Sequence, residues 1–200
     1  MALIGLLGGT FDPIHNGHIH IANAARKQLN LNKVIFIPNG TPPHKAGVIS
    51  SGKHRLKMTL LAVNASDGFC VSDYEIMKTT PCYSVETVTH FKRQYPDDEI
   101  VFIVGEDSLD YIDRWYKPEE LLSLCRFAVV IRGGFCGDTE EKIRTLKDKF
   151  NADVAFVKCE GVEISSSEIR KKITDGISVE EFLPSEVVRY IKEQGLYVRK

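Results

Sequence analysis

Short apolar runs alternate with amphipathic segments along this chain of 200 residues. The runs are continuously apolar and do not alternate with polar residues, a pattern typical of strands that are buried on both faces. The clearest strands are Leu3–Leu7, Val34–Ile37, Ile100–Val104, Phe127–Ile131 and Val154–Val157. The segments with a helical pattern are Ile19–Leu29, Lys53–Asn64, Val85–Gln94, Thr139–Phe150, Ser166–Thr174 and Ser185–Gln194. The alternation predicts an α/β fold with a doubly wound parallel sheet, and the length suits a single domain.

Three loops are expected to meet at one edge of this sheet. In an open parallel sheet, ligands bind beyond the carboxyl ends of the strands. The segments that follow strands there are Gly8–His18, the Pro/Gly/Ser-rich loop Pro38–Gly52, and Gly105–Asp107. We therefore expect these three segments to converge on a ligand site.

The segment Gly8–His18 reads Gly-Gly-Thr-Phe-Asp-Pro-Ile-His-Asn-Gly-His, at the point where a strand passes into a helix. Such a junction leaves backbone N–H groups unpaired at the positive end of the helix dipole, which favours phosphate. The glycines allow close approach, and the imidazoles of His15 and His18 can donate hydrogen bonds to developing charge. A glycine-rich turn whose histidines only cap the helix is the alternative, but the Thr-Phe-Asp-Pro insert favours nucleotide chemistry.

A second candidate phosphate site is Ile164-Ser-Ser-Ser-Glu-Ile-Arg170. Its simpler interpretation is a capping box between Ser165 and Glu168, which contributes about 1 kcal/mol and needs no ligand. The capping box does not account for Arg170 in the opening turns, where a cation opposes the helix dipole. A bound anion would relieve this conflict, so we interpret Arg170 as a phosphate ligand.

Three further segments are candidates because of where they lie. Pro42-Pro43-His44-Lys45 is stiff and ends in a cation that could position a phosphate. Asp107 follows the strand Ile100–Val104, where its carboxylate could accept from ribose hydroxyls or help to hold a hydrated metal. Trp115-Tyr116 is more often a packing pair than a ligand contact.

Other nucleotide and metal motifs fit poorly. Gly47–His54 resembles a P-loop, but His54 stands where Ser or Thr would bind magnesium, and no strand precedes it. The glycines at 5, 8 and 9 do not form a dinucleotide fingerprint, so a bound NAD cofactor is not expected. His15 and His18 could bind zinc, but the spacing indicates no third ligand.

The composition favours a soluble cytoplasmic protein. The net charge is −1, which gives no electrostatic footprint for nucleic acid or an anionic membrane. Five cysteines without a paired motif are typical of reduced thiols. No apolar run approaches the roughly 18 residues of a membrane span.

The motifs at 8–18 and 164–170, with the alternation between them, resemble the nucleotidylyltransferases of the H-x-G-H superfamily. Within it, the resemblance is to the bacterial nicotinate-nucleotide adenylyltransferases, and it runs nearly end to end. It is also carried by Pro38-Asn39, Pro42–Lys45, Pro81-x-Tyr83-Ser84, Gly105–Ser108, Trp115-Tyr116, Leu183-Pro184 and Gly195–Tyr197. Pantetheine-phosphate adenylyltransferases are similar at the first motif, but they typically carry Thr at the position of His15.

The resemblance implies a Rossmann-like fold, with residues 1–200 forming one nucleotidylyltransferase domain. It implies transfer of the adenylyl group of ATP to nicotinate mononucleotide, giving deamido-NAD and pyrophosphate in NAD synthesis. The expected partners are these two substrates, without nucleic acid or membrane, and a homo-oligomer is left open. The expected cofactor is Mg²⁺, held mainly by phosphates and water and not by protein ligands.

The resemblance also implies a role for individual residues. The phosphate and transition-state residues are His15, His18, Lys45 and Arg170. The ATP-binding residues are Gly8, Gly9, Thr10, Phe11, Gly105, Asp107, Ile164 and Ser167. The residues for nicotinate mononucleotide are Asn39, Tyr83, Ser84, Val85, Trp115, Tyr116 and Arg132. The motif spacing forces no lysine or arginine into the pyridine pocket, although Arg114 is adjacent. We therefore hypothesise that main-chain N–H groups around Val85 and Tyr116 receive the substrate carboxylate.

The sequence departs from the family pattern at three positions. Gly133 replaces the usual Pro, Lys78 stands where Arg is frequent, and Ser167 replaces the commoner Thr. The first two changes affect loop and charge geometry, whereas the third keeps a hydroxyl.

Two other classes of protein are alternatives to an adenylyltransferase. They are a fragment of a class I aminoacyl-tRNA synthetase, for which the chain is short, and a nucleotide sensor that binds ATP without turnover.

Overall fold

Six parallel strands form one sheet in the part of the chain that the computed structural model describes. That part comprises residues 1–40, 50–64, 66–132, 137–160 and 164–198, with the backbone alone at residues 132 and 137. The strands are Leu3–Gly9 (β1), Lys33–Pro38 (β2), Phe69–Val71 (β3), Glu99–Gly105 (β4), Arg126–Arg132 (β5) and Val154–Cys159 (β6). Their order is β3-β2-β1-β4-β5-β6, so the predicted α/β fold with a Rossmann-like doubly wound sheet is confirmed.

Helices cover both faces of the sheet. They are Asn16–Gln28 (α1), Gly52–Val63 (α2), Ser84–Gln94 (α3), Pro118–Leu124 (α4), Gly137–Phe150 (α5), Ser166–Thr174 (α6) and Ser185–Gln194 (α7). One core cluster joins α1, α2, α6 and α7 to one face, and the other joins α3, α4 and α5 to the opposite face. Because successive strand side chains point to opposite faces, Leu6 and Leu7 enter different clusters.

The elements that the pattern did not predict are short. The edge strand β3 has three residues, of which only Phe69 is buried. Helix α4 has seven residues, and two 3₁₀-helices, Glu106–Asp110 and Ile112–Arg114, precede it. By contrast, the predicted bounds of α6 and α7 match the structure.

The predicted capping box at the start of α6 is confirmed. The Ser165 hydroxyl accepts from the Glu168 N–H at 3.1 Å, and the Glu168 carboxylate accepts from the Ser165 N–H at 2.8 Å. The Ser165 hydroxyl also donates to the Glu168 carboxylate at 2.8 Å, and this bond together with the one from the Ser165 N–H holds the pKa of Glu168 below its usual value. The helix that carries Arg170 therefore has a well-defined start.

The order in which strands are added to the sheet reverses at β1, and this creates a cleft. β1 lies between β2 and β4, and both pairings are parallel. The connection from β1 to β2 runs through α1 on one face, whereas α3, which leads into β4, packs on the other. The space beyond the carboxyl ends of β1 and β4 is consequently left uncovered by either helix layer.

Gly5 provides a test of the packing inside β1. A Cβ at Gly5 would lie 2.8 Å from Leu31 Cδ1 and 3.0 Å from Ile103 Cδ1. We expect Gly5→Ala to lower the free energy of unfolding by about 1–3 kcal/mol, because the core must shift to accept the methyl group. Urea unfolding measures the change.

Gly8→Ala is the matched control in the same strand. Among the described residues, a Cβ there would meet only Asn39 Oδ1, at the ordinary contact distance of 3.7 Å. Its free energy of unfolding should stay within about 0.5 kcal/mol of the wild-type value. Equal stability of the two variants would contradict the close packing around Gly5.

Candidate active site

A cleft of about 570 Å³ opens at the carboxyl ends of β1 and β4. Its walls are the end of β1 with the following turn, the end of β4, and the first turns of α3 and α6. The predicted site residues that line it are Gly8, Gly9, Thr10, Phe11, His18, Asn39, Ser84, Gly105, Asp107, Trp115, Ser167 and Arg170. The expected convergence of the three loops is confirmed for their described parts.

The remaining predicted residues lie elsewhere or outside the described part. Lys45 is outside the described residues, and so is the Arg132 side chain. The Ile164 and Val85 side chains are buried in the two core clusters. The rings of Tyr83 and Tyr116 pack on each other, with centroids 4.4 Å apart, beside the start of α3 and outside the cleft lining.

His15 and His18 have different positions. His15 precedes the first residue of α1 and is 6% exposed, and its ring lies against that of His18 with centroids 3.7 Å apart. His18 lines the cleft, and the edge of the Phe11 ring contacts it at a centroid distance of 5.0 Å. The His15 ring therefore packs against the His18 ring and does not line the cleft itself.

A hydrogen bond at the helix start determines the tautomer of His18. The backbone N–H of His15 donates to His18 Nδ1 at 3.2 Å. Because a backbone N–H can only donate, Nδ1 carries no proton and the neutral ring holds its proton on Nε2. His18 thus offers an N–H donor on the ring edge away from its capping bond.

The start of α1 is more fully occupied by protein than the sequence indicates. The Asn16 N–H donates to the Phe182 carbonyl at 2.8 Å, and the His15 N–H is used by His18. The expectation that this junction leaves its N–H groups unpaired was therefore wrong for these two amides. The segment before α7 supplies the carbonyl, which no local pattern near residue 16 indicates.

The start of α6 has the spare donors. Ser166 and Ser167 line the cleft, and among the described residues their N–H groups have no partner. Arg170 also lines the cleft, donating from Nη1 to the Asp12 carbonyl at 2.8 Å and from Nη2 to Ser167 Oγ at 3.3 Å. This end of the cleft therefore presents N–H groups and a guanidinium, which suit phosphate oxygens.

Two buried charged residues at the cleft were not predicted. Arg55 is 2% exposed and donates to the Thr10 carbonyl at 2.8 Å and the Gly40 carbonyl at 3.1 Å. Burial lowers the Arg55 pKa, and the charge of Asp12 opposes that shift. Arg55, Met58, Thr59 and Val63 lie along the buried stripe of α2, and this helical spacing could have indicated a buried arginine.

Glu75 is the other buried charge, and it joins two walls of the cleft. Its carboxylate accepts from the Thr87 hydroxyl at 2.7 Å and from the Gly40 N–H at 3.3 Å. Burial raises the Glu75 pKa, and the two hydrogen bonds oppose that shift. No sequence signal marks Glu75, because it lies in a turn after β3 and has no pattern of its own.

The other end of the cleft is aromatic and lies against the start of α3. Trp115 and Ser84 line the cleft here. Tyr83 precedes α3 without a side-chain hydrogen bond to the helix, and among the described residues the N–H groups of Ser84 and Val85 have no partner. Trp115 and the start of α3 therefore offer the cleft an aromatic face and amides that favour an anion.

The described lining contains few charged groups. Arg170 is the only lysine or arginine among the described lining residues, whereas Asp12, Glu75 and Asp107 are carboxylates. Within the described ranges, no group of three or more His, Cys, Asp or Glu side chains could hold a metal ion. None of the helices in these ranges is long and apolar enough to cross a membrane.

The sequence and the fold match known nucleotidyltransferases. The cytidylyltransferase-like family model matches residues 6–172, which places the chain in that class. A protein of Clostridium botulinum (strain Eklund 17B / Type B), named "Probable nicotinate-nucleotide adenylyltransferase", is 42% identical and is aligned over 98% of each chain. One of Clostridium tetani with the same name is 39% identical over 96% of this chain and 97% of its own. The chain therefore belongs to the nicotinate-nucleotide adenylyltransferases, as the sequence resemblance predicted.

Solved structures agree on the fold. The Plasmodium falciparum nicotinic acid mononucleotide adenylyltransferase complexed with NaAD has a TM-score of 0.81 and 22% identity, covering 98% of each chain. The same enzyme complexed with APC has a TM-score of 0.75 at the same identity and coverage. At this identity the likeness concerns the fold alone.

Proposed function

We propose that this protein transfers the adenylyl group of ATP to nicotinate mononucleotide, releasing pyrophosphate and forming deamido-NAD. One observation carries the proposal: the Nε2 donor of His18 and the start of α6 with Arg170 belong to the same cleft as Trp115 and the start of α3. One part of the cleft suits a polyphosphate, and the other suits a pyridine ring with an acidic substituent. The curated relatives carry the name of this reaction.

In this reaction, a phosphate oxygen of nicotinate mononucleotide attacks the α-phosphorus of ATP in line. The new P–O bond forms as the bond to the bridging oxygen breaks, and pyrophosphate leaves with that electron pair. The attacking phosphate is already an anion near neutral pH, so the protein needs no general base. Its work is positioning and charge stabilisation.

His18 and Arg170 supply that stabilisation in the proposal. The Nε2–H of His18 donates to the phosphate charge that grows in the transition state. Among the described residues, protein acceptors engage two of the five N–H groups of Arg170, and in the proposal the others donate to phosphate oxygens. His15 holds the His18 ring, and its direct contact with phosphate stays a prediction, as does the contribution of Lys45.

The cofactor that we propose is Mg²⁺. In the proposal, the ion is carried by the ATP phosphates and water, because Mg²⁺ dehydrates reluctantly and usually keeps several waters. When bound, it supplies positive charge to the triphosphate. In the proposal, Asp107, which follows β4 and lines the cleft, accepts from a ribose hydroxyl.

The first prediction tests the reaction itself. With ATP and Mg²⁺, the protein should release pyrophosphate only when a pyridine mononucleotide is added. A panel of nicotinate mononucleotide, nicotinamide mononucleotide and phosphopantetheine decides the acceptor. Faster turnover of phosphopantetheine would contradict the assignment, and ATP binding without turnover would indicate a nucleotide sensor.

The second prediction separates the two nitrogens of His18. In His18→Asn, Oδ1 replaces Nδ1 as the acceptor for the His15 N–H, but the Nε2 donor is lost. We expect kcat to fall on the order of 10²–10³-fold while the unfolding temperature changes little. In His18→Gln, the amide N–H can replace Nε2 but the capping acceptor is lost, so kcat should fall less and the unfolding temperature more. Wild-type kcat in His18→Asn would limit His18 to helix capping.

The third prediction concerns the choice between acid and amide. Arg170 is the only lysine or arginine in the described lining and is assigned to phosphate, so we propose that main-chain N–H groups around Val85 and Tyr116 receive the substrate carboxylate. A carboxamide would leave a buried donor unpaired, at a cost of about 1–3 kcal/mol, and would lose a charge-assisted bond. We expect kcat/KM to favour nicotinate mononucleotide by at least about 10²-fold.

The control for acid selectivity is Trp115→Ala. This variant removes stacking from both substrates and leaves the N–H donors in place. KM should therefore rise for the acid and the amide alike, with little change in the ratio of their kcat/KM values. Comparable kcat/KM values in the wild-type protein would indicate an enzyme of dual specificity.

A further inference from the structure

Asp12 belongs to the phosphate-binding turn, yet its carboxylate faces into the protein. The residue is 1% exposed, and its Oδ1 accepts from the Tyr197 hydroxyl at 2.7 Å. Its Oδ2 accepts from the Ser50 N–H at 3.4 Å. The interaction with Tyr197 joins residues that are 185 positions apart in the sequence. It therefore couples the turn after β1 to the segment that follows α7.

Tyr197 is held in turn by the helix that carries Arg170. Its backbone has the left-handed conformation, with φ of 65°, and its side chain is 9% exposed. The Thr174 hydroxyl bonds the Tyr197 carbonyl at 2.8 Å and also the Arg170 carbonyl, one turn back in α6, at 2.9 Å. The backbone of Tyr197 is thus tied to α6.

These contacts form a closed ring of interactions. Arg170 donates to the Asp12 carbonyl, the Asp12 carboxylate accepts from Tyr197, and Tyr197 accepts from Thr174 on the Arg170 helix. A guanidinium that is fixed to the turn on one side and to α6 on the other has little freedom to rotate. Such fixed donors stabilise transition-state charge without reorganising during the reaction.

We propose that Tyr197 is a positioning residue that acts through Asp12 on Arg170, aligning this guanidinium with the phosphate-binding turn. The inference rests on the proposed adenylyl transfer. The phenol ring packs in the core, where a phenylalanine ring would serve as well, so packing does not require the hydroxyl. Beyond Asp12, that hydroxyl is 4.0 Å from Met58 Sδ. Burial raises the Tyr197 pKa, which keeps the phenol protonated as a donor.

The test variant is Tyr197→Phe, which removes the hydroxyl and keeps the ring. We expect kcat for pyrophosphate release to fall on the order of 10-fold, below the ~10²-fold that a misplacement of an ångström can cost. KM for both substrates should change less than about twofold, because positioning for the transition state affects kcat. Thermal unfolding measured beside the assay confirms that the variant is folded at the assay temperature.

Tyr190→Phe is the matched control. It also removes a tyrosine hydroxyl, in this case one that bonds His54 Nδ1 at 2.9 Å and lies outside the cleft lining. Its kcat should equal the wild-type value. Equal kcat values for Tyr197→Phe and Tyr190→Phe, or equal losses in both, would overturn the proposal.

A double-mutant cycle distinguishes positioning from a general loss of stability. In an Arg170→Lys background the planar guanidinium is absent, so Tyr197→Phe should lower kcat less than about twofold further. A merely structural role would lower kcat by the same factor in both backgrounds, and that additive result would refute the proposal. Thr174→Val, which breaks the ring at another position, should behave as Tyr197→Phe does and serves if that variant is unfolded.

The same assay keeps this inference separate from the proposed function. If the wild-type protein releases no pyrophosphate with ATP and nicotinate mononucleotide, the proposed function fails. If the wild-type protein is active and Tyr197→Phe retains full kcat, only the positioning role fails.

Discussion

The reversal of strand order at β1 is the constraint on which the site depends. With β2 on one side and β4 on the other, the helices that connect them must pack on opposite faces of the sheet. The carboxyl ends of β1 and β4 then open into a cleft that neither layer covers. Most of the described residues that are proposed to touch substrate lie at that opening, in the turn after β1, in the residues after β4, and at the starts of α3 and α6. Gly5 allows this arrangement, because the core packs directly against the backbone of β1.

A chain of net charge −1 can still form a site for polyphosphate, because the charge is arranged locally. In the proposed site, neutral N–H groups at the start of α6 donate to phosphate oxygens, next to Arg170, whose guanidinium is the only one in the described lining. The nearby carboxylates of Asp12 and Glu75 are buried and already accept hydrogen bonds from protein. They consequently serve to hold backbone segments in place, and a phosphate meets the donors first. This arrangement has the character of a preorganised site, in which the donors are fixed before the substrate arrives.

The sequence predicted most of the sheet and most of the cleft lining, because both depend on local signals. Buried strands appear as apolar runs, and the ends of such runs mark where ligands bind. Edge strand β3 was not predicted, because three residues with one buried side chain form no recognisable apolar run. Hydrogen bonds between distant segments were not predicted for another reason. The Asp12–Tyr197 bond and the donation from Asn16 to Phe182 join distant segments, and no spacing within one segment indicates them.

In the proposed function, His18 combines a structural role at the start of α1 with a chemical role in the cleft. Read as a cap, the histidine pair only satisfies an amide at the start of α1, and the structure does contain that bond. The bond nevertheless has a chemical consequence, because it removes the proton from Nδ1 and assigns it to Nε2. A ring without the cap could present either tautomer, and in one of them the free nitrogen would be an acceptor that repels phosphate. The capping bond is therefore the means by which this histidine becomes a donor, and His15 takes part through its backbone N–H as well as its ring.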